Sequence, residues 1–165
     1  MKEIHTEHVF PISPERLMEL MDEDAYRDFV AERMPGLVDF ERLEFRWDGD
    51  TRIRRVRMKF DTPLPALIKR ALPSKGEGWL EETNLLYPKE RRMESTMVST
   101  VTKTVRLVHF HEGSHPGETR RVSHSRLEAK VPLVAGALEK LMEREAHKHK
   151  DSEFDITMAF LQEMA

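Results

Sequence analysis

From Phe40 to Val131 the chain is a succession of short segments in which apolar and polar residues alternate, and a single long helical pattern follows them. A period of two puts one set of side chains on each face of a strand. The hairpin "FERLEFRWDGDTRIRRVRMKF" shows it best: Leu43, Phe45 and Trp47 alternate, Asp48-Gly49-Asp50 turns, and Val56, Met58 and Phe60 alternate again. "WLEETNLLY", "RMESTMVSTV", "TVRLVHFHEG" and "RRVSHSRLEAKV" follow, divided by Pro88, a break near Thr102 and the Gly/Pro-rich "HEGSHPGE". With Ile4–Phe10 in front, this makes about seven strands at hairpin spacing, and hence antiparallel pairing. A sheet of that size curls. Its concave face needs an apolar partner, and "VPLVAGALEKLMEREAHKHKDSEFDITMAFLQEMA" is the element long enough to supply one.

The start of the chain adds two short helices. Pro11 ends the first strand, and Ser13-Pro14 opens a helix with a hydroxyl cap and a proline at the first helical position. Leu17, Leu20 and Met21 form its buried edge. A second helix is expected from Asp24, with Tyr26, Phe29, Val30 and Met34 inward and Pro35-Gly36 closing it. The fold class is α+β, with a curved antiparallel sheet wrapped around a long C-terminal helix. Short linkers and the absence of any internal repeat make residues 1–165 one domain.

Composition narrows the function classes. Hydrophobic residues are 39% and charged residues 35%, with a formal charge of −3, so no polyanionic partner is implied. Without cysteine there is neither a disulfide framework nor thiol chemistry. The N-terminal "MKEIHTEHVF" lacks a secretory apolar run, and no window reaches the roughly 18 apolar residues of a membrane span, so a cytoplasmic protein is expected. In "RIRRVRMK", Arg55, Arg57 and Lys59 alternate with Val56 and Met58. They read as the outer face of a strand, with Glu41, Glu44, Glu81 and Glu82 available across it, and not as a nucleic-acid surface. Gly76 and Gly78 lack the spacing of a phosphate loop, and no Gly-x-Ser-x-Gly elbow occurs; no cofactor is expected. His109, His111 and His115 raise a metal question, but without a fourth ligand the plain reading is a solvated hairpin tip, and no metal is expected.

The order of elements, together with "FPISPERLMELMDEDAYRDF" near the start and "KVPLVAGALEKLMEREAHKH" near the end, resembles the START-related helix-grip superfamily (polyketide cyclase and lipid-transfer-like proteins), in one of its uncharacterised bacterial branches. The resemblance covers essentially the whole chain, and its motifs are structural. It implies a deep cavity between sheet and long helix, occupied by a lipid, sterol, polyketide or aromatic ligand. Members include carriers, receptors, cyclases and co-chaperone-like proteins. No catalytic residue is common to them, so none carries over to this chain.

The long helix departs from a simple lipid sleeve. Its apolar stripe of Val134, Leu138, Leu141, Met142, Ile156 and Phe160 is interrupted, on the same stripe, by Glu145, His149 and Ser152. One reading solvates these groups. Another has them line a partly wet cavity and meet the polar end of an apolar ligand. A third makes Glu145 and His149, four residues apart, the acid and base of a cyclase or dehydratase.

On the last strand, Arg121, Ser123, Ser125, Leu127, Ala129 and Val131 share one face that passes from polar to apolar, which suits an amphiphile. Arg121 alone is expected to lie beyond the core. The expected ligand contacts are Phe45, Trp47, Met58, Phe60, Met97, Leu127, Leu138, Met142, Ile156 and Phe160, with Ser123, Glu145 and His149 at the polar group. "LPALIKRALPSK" could lid the cavity, with Lys69, Arg70 and Lys75 touching an anionic membrane surface during exchange. Binding of a lipid-like or aromatic small molecule is the leading expectation. The cyclase and a protein-interaction module with a filled cavity are the alternatives, and Phe154, Met158 and Leu161 form a second stripe that would either pack on the domain or make a dimer seam.

Overall fold

The computed structural model describes residues 1–61, 70 and 79–164. Strand β1 (Lys2–Phe10) is followed by α1 (Pro14–Leu20), α2 (Asp24–Arg33), β2 (Leu37–Asp48), β3 (Thr51–Phe60), β4 (Trp79–Tyr87), β5 (Arg92–Val98), β6 (Thr102–Glu112) and β7 (Thr119–Ala129). Helices α3 (Ala135–Lys148) and α4 (Ser152–Glu163) complete the chain. The strands form one curved antiparallel sheet in the order β1-β7-β6-β5-β4-β3-β2, so β1 and β2 are its two edges. The sequence-derived architecture holds.

Local chemistry sets the boundaries. Ser13 caps α1, its Oγ accepting from Arg16 N at 3.2 Å, and Pro14 occupies the first turn. The β2–β3 hairpin turns at Gly49, whose φ of +58° is a left-handed value that glycine adopts without strain. Between β5 and β6, Ser99 Oγ accepts from Thr102 N at 3.0 Å, which fixes the turn that the sequence places loosely near Thr102.

Two apolar clusters hold the layers together. The larger joins Phe10 of β1, Leu17 and Leu20 of α1, Tyr26 of α2, Leu86, Val108 and Phe110 of the sheet, and Phe160 of α4. The smaller is built around Ala129, Val131, Val134 and Leu138, with Leu141 and Met142 against it. Thus α4 covers one end of the concave face and α3 the other. Phe154, Met158 and Leu161 pack on the larger cluster, so this second stripe is used within the domain.

The long C-terminal helix is bent. His149, with φ −110° and ψ 11°, ends α3, and its N–H still reaches Glu145 O at 3.0 Å; Ser152 N then returns to His149 O at 3.0 Å and α4 begins. Asp151, at the bend, lies 2.7 Å from His8 Nε2 on β1. The polar interruption in the apolar stripe is therefore where the helix changes direction.

Strand β2 corrects a further expectation. A register shift between Arg42 and Glu44 takes Leu43 out of the alternation. Phe45 and Trp47 then sit opposite Arg54 and Arg52, on the same face as those residues, but on an edge strand, where they are 47% and 53% exposed and are not core residues.

Candidate functional site

Period-two alternation places Arg52, Arg54, Val56, Met58 and Phe60 of β3 on the concave face, beside Glu82 and Asn84 of β4, Met93, Ser95 and Met97 of β5, and Arg106 of β6. Helix α2 lies over part of this surface and presents Tyr26, Arg27, Val30 and Met34 to it; Glu153 arrives from α4. Between them is a cavity of ≈ 290 Å³. Its wall is mostly apolar, methionine above all, with a small convergent set of charged and polar groups, the composition of a small-molecule site. Five of the wall residues are methionines: Met21, Met34, Met58, Met93 and Met97. Such side chains fit irregular apolar shapes.

The charged groups of the interior are paired in a specific way. Glu153 takes Arg121 Nη1 on Oε1 at 2.8 Å and Arg106 Nη1 on Oε2 at 3.2 Å, while Arg106 Nε donates to Ser123 Oγ at 2.6 Å. Burial works to raise the Glu153 pKa, but the two guanidiniums outweigh it and hold the carboxyl well below the usual range. Arg52, fully buried, donates Nε to Asp22 Oδ2 at 3.0 Å and Nη1 to Asn84 Oδ1 at 2.7 Å. Burial, with Arg54 nearby, lowers its pKa to about 10. Arg54 Nη1 bonds to Met21 O at 3.1 Å, and Ser95 Oγ donates to Glu82 Oε2 at 2.8 Å. Tyr26 donates to Thr157 Oγ1 at 2.9 Å, since the Thr157 hydroxyl itself donates to Glu153 O. Desolvation raises the Tyr26 phenol to about 12.

Of the residues expected at a ligand, Met58, Phe60 and Met97 line the cavity. Ser123 lies one hydrogen bond behind its wall, through Arg106. Leu127, Ile156 and Phe160 are buried packing residues, and Leu138 and Met142 belong to the smaller cluster under α3. Glu145 and His149 sit at the helix bend, half-exposed and 3.4 Å from each other, and neither is among the residues that line the cavity. Arg121 corrects the expectation that it lies beyond the core: it is buried, with its guanidinium over the Phe10 ring at 4.7 Å.

Arg55 pairs with Glu81 and Glu44, and Arg57 with Glu41, on the convex face as expected. Glu82, expected with them, faces inward. His109 and His111 stack with ring centroids 5.9 Å apart, both exposed. The group nearest a metal-binding arrangement among the described residues is instead Glu3, His5 and His124 on the β1–β7 pair, where Arg126 also reaches Glu3. Lys69, Lys75 and most of the expected lid lie outside the described residues, and Arg70 is exposed. No helix among the described residues is long and apolar enough to cross a membrane.

The interior polar residues that sequence reading passed over were legible in part. Arg52 and Arg54 share the period-two face of Val56 and Met58, Arg106 that of Val108 and Phe110, and Glu153 precedes Ile156, Thr157 and Phe160 by helical steps.

Solved structures with the same arrangement include a Thermus thermophilus protein, with a TM-score of 0.64 and 16% identity over 94% of this chain and 93% of that one. An 18 kDa protein of Caulobacter crescentus has a TM-score of 0.57 and 13% identity over 100% and 96%. A START superfamily protein of Mycobacterium smegmatis has a TM-score of 0.56 and 16% identity over 95% and 98%. At these identities the likeness is one of fold. A search among curated proteins returns no match. The chain has the START-type helix-grip fold, and, with residues 5–161 matched, it belongs to the family described as a protein of unknown function, DUF2505.

Proposed function

We propose that this protein binds a hydrophobic or amphiphilic small molecule, lipid-like or aromatic, in the cavity between α2, α4 and the sheet, and that residues 1–165 act as one binding domain without turnover. The observation that carries this reading is the cavity itself: ≈ 290 Å³, walled by methionine and phenylalanine, with a few charged groups converging on it. That volume lies close to the lower end of the range for small-molecule sites, about 300–1,000 Å³. It favours a single chain or a small ring system over a sterol-sized ligand. The START-type fold supports binding in general and no particular ligand.

Native mass spectrometry of protein purified without detergent tests the reading, together with thermal shift against a panel of fatty acids, lysolipids and aromatic acids. The expected result is at least one ligand that raises the midpoint and is excluded by Met97→Trp, which fills the cavity. A uniformly ligand-free mass with no stabilisation by any member of the panel overturns it.

A further inference from the structure

The charges around the cavity are not evenly matched. Arg42 is held by Asp24 and Asp28, Arg52 and Arg54 by Asp22, and Arg106 and Arg121 by Glu153. The guanidinium of Arg27, which lines the cavity from α2, has no hydrogen-bond or ion-pair partner among the described residues. It is half-buried, and burial together with Arg54 and Arg42 outweighs the nearby carboxylates of Asp22 and Asp24 and lowers its pKa to about 10, which still leaves it protonated at neutral pH. A cation withdrawn from water and set beside others of its own sign is costly unless an anion joins it.

Polarity is also graded along β3. Arg52 and Arg54 occupy one end of its concave face, and Val56, Met58 and Phe60 continue it. The stretch of strand from Arg54 to Phe60 spans about 20 Å. Glu82 faces the same space from β4, in register with Val56, and already receives the Ser95 hydroxyl. A ligand that placed an anion at Arg27 and Arg54 would put its tail across the methionines.

We propose that the cavity takes a single-chain amphiphile whose anionic head, a carboxylate or a phosphate, docks on Arg27 and Arg54 while its tail runs past Met58 and Met97. This rests on the ligand-binding reading above and narrows it to a ligand class. A planar guanidinium with free donors suits either head, because both accept two parallel N–H bonds.

The test is calorimetric titration of the full chain with decanoate, decyl phosphate and decanol, each below its micellar concentration, at low and high salt. At least one of the two anions is expected to bind about ten- to a hundred-fold more tightly than decanol, with a preference that falls as salt rises. Arg27→Gln removes most of that preference, and Arg27→Lys retains part of it. Arg57→Gln, on the convex face of β3, changes nothing. Decanol binding as tightly as both anions, or a preference that survives Arg27→Gln, overturns the head-group assignment and leaves the cavity reading standing. Failure of all three ligands to bind removes the cavity reading for single chains and the head-group assignment with it.

Discussion

Glu153 on α4 and Arg121 on β7 meet across the interior, Arg121 Nη1 donating to Glu153 Oε1 at 2.8 Å, and Arg106 takes the other carboxylate oxygen at 3.2 Å. One carboxylate thus fastens the last helix to two strands beside the cavity. Breaking a largely buried pair by removing one partner strands the other charge. Glu153→Gln is expected to cost about 2–3 kcal/mol at neutral pH, since Glu153 keeps some solvent contact that softens the penalty. A carboxyl held below its unfolded pKa adds stability above roughly pH 4.3, and that stability is lost as pH falls through the folded value. Urea unfolding of both proteins at pH 7 and pH 3 should therefore show the gap narrowing in acid. An equal gap at both pH values contradicts the pairing.

Among the described residues, Arg52 is the largest fully buried side chain. Replacing it by Met removes the donor to the Asn84 side-chain carbonyl and leaves Asp22 with only Arg54, at 3.5 Å. The expected loss is about 3 kcal/mol in denaturant unfolding. A loss below about 1 kcal/mol would mean that the surrounding groups rehydrate, and that this end of the cavity is wetter than its geometry implies.

Tyr26 should titrate late. Its phenol, pushed up to about 12 by burial, stays protonated when the unfolded chain's tyrosines have ionised near pH 10. Stability contributed by this group is present below pH 10 and declines as pH rises from there toward 12. Ultraviolet phenolate titration should show one of the two tyrosines ionising near 12, and Tyr26→Phe should delete that phase. The same substitution removes the bond to Thr157 at a cost of about 1 kcal/mol.

Glu145 and His149 form a half-exposed pair four residues apart. Exposed pairs of this kind contribute little, so Glu145→Gln and His149→Ala should each change stability by under about 0.5 kcal/mol. Neither should alter the affinity of a ligand that Met97→Trp excludes. Loss of binding in either variant would return the helix bend to the site.

Much of the architecture was legible because it depends on repeating local pattern. The alternation from Phe40 onward, the Ser13-Pro14 cap and the apolar steps of the last helix each specify an element from neighbours a few residues apart. The site was legible only in pieces. Met58, Phe60 and Met97, expected at a ligand from their strand face, line the cavity. Phe45 and Trp47, expected at a ligand, are about half exposed because β2 is an edge strand, and alternation within a strand does not say which strand will be an edge. Glu145 and His149 drew attention as polar residues on an apolar stripe, yet that stripe assumes a straight helix, and the helix bends at His149.

By itself, the amino-acid order determined the kind of protein this is: seven alternating strands, two short helices and a terminal helix with one apolar face, which bury that face in only a few arrangements. Tertiary structure alone decided which charges face inward as partners. Arg106 and Arg121 on neighbouring strands find Glu153 at 47 and 32 residues' distance along the chain, and Arg52 finds Asp22 at 30. The physical reason is range: periodicity is a property of adjacent residues, whereas the partner of a buried charge is set by how the curved sheet and the bent helix converge.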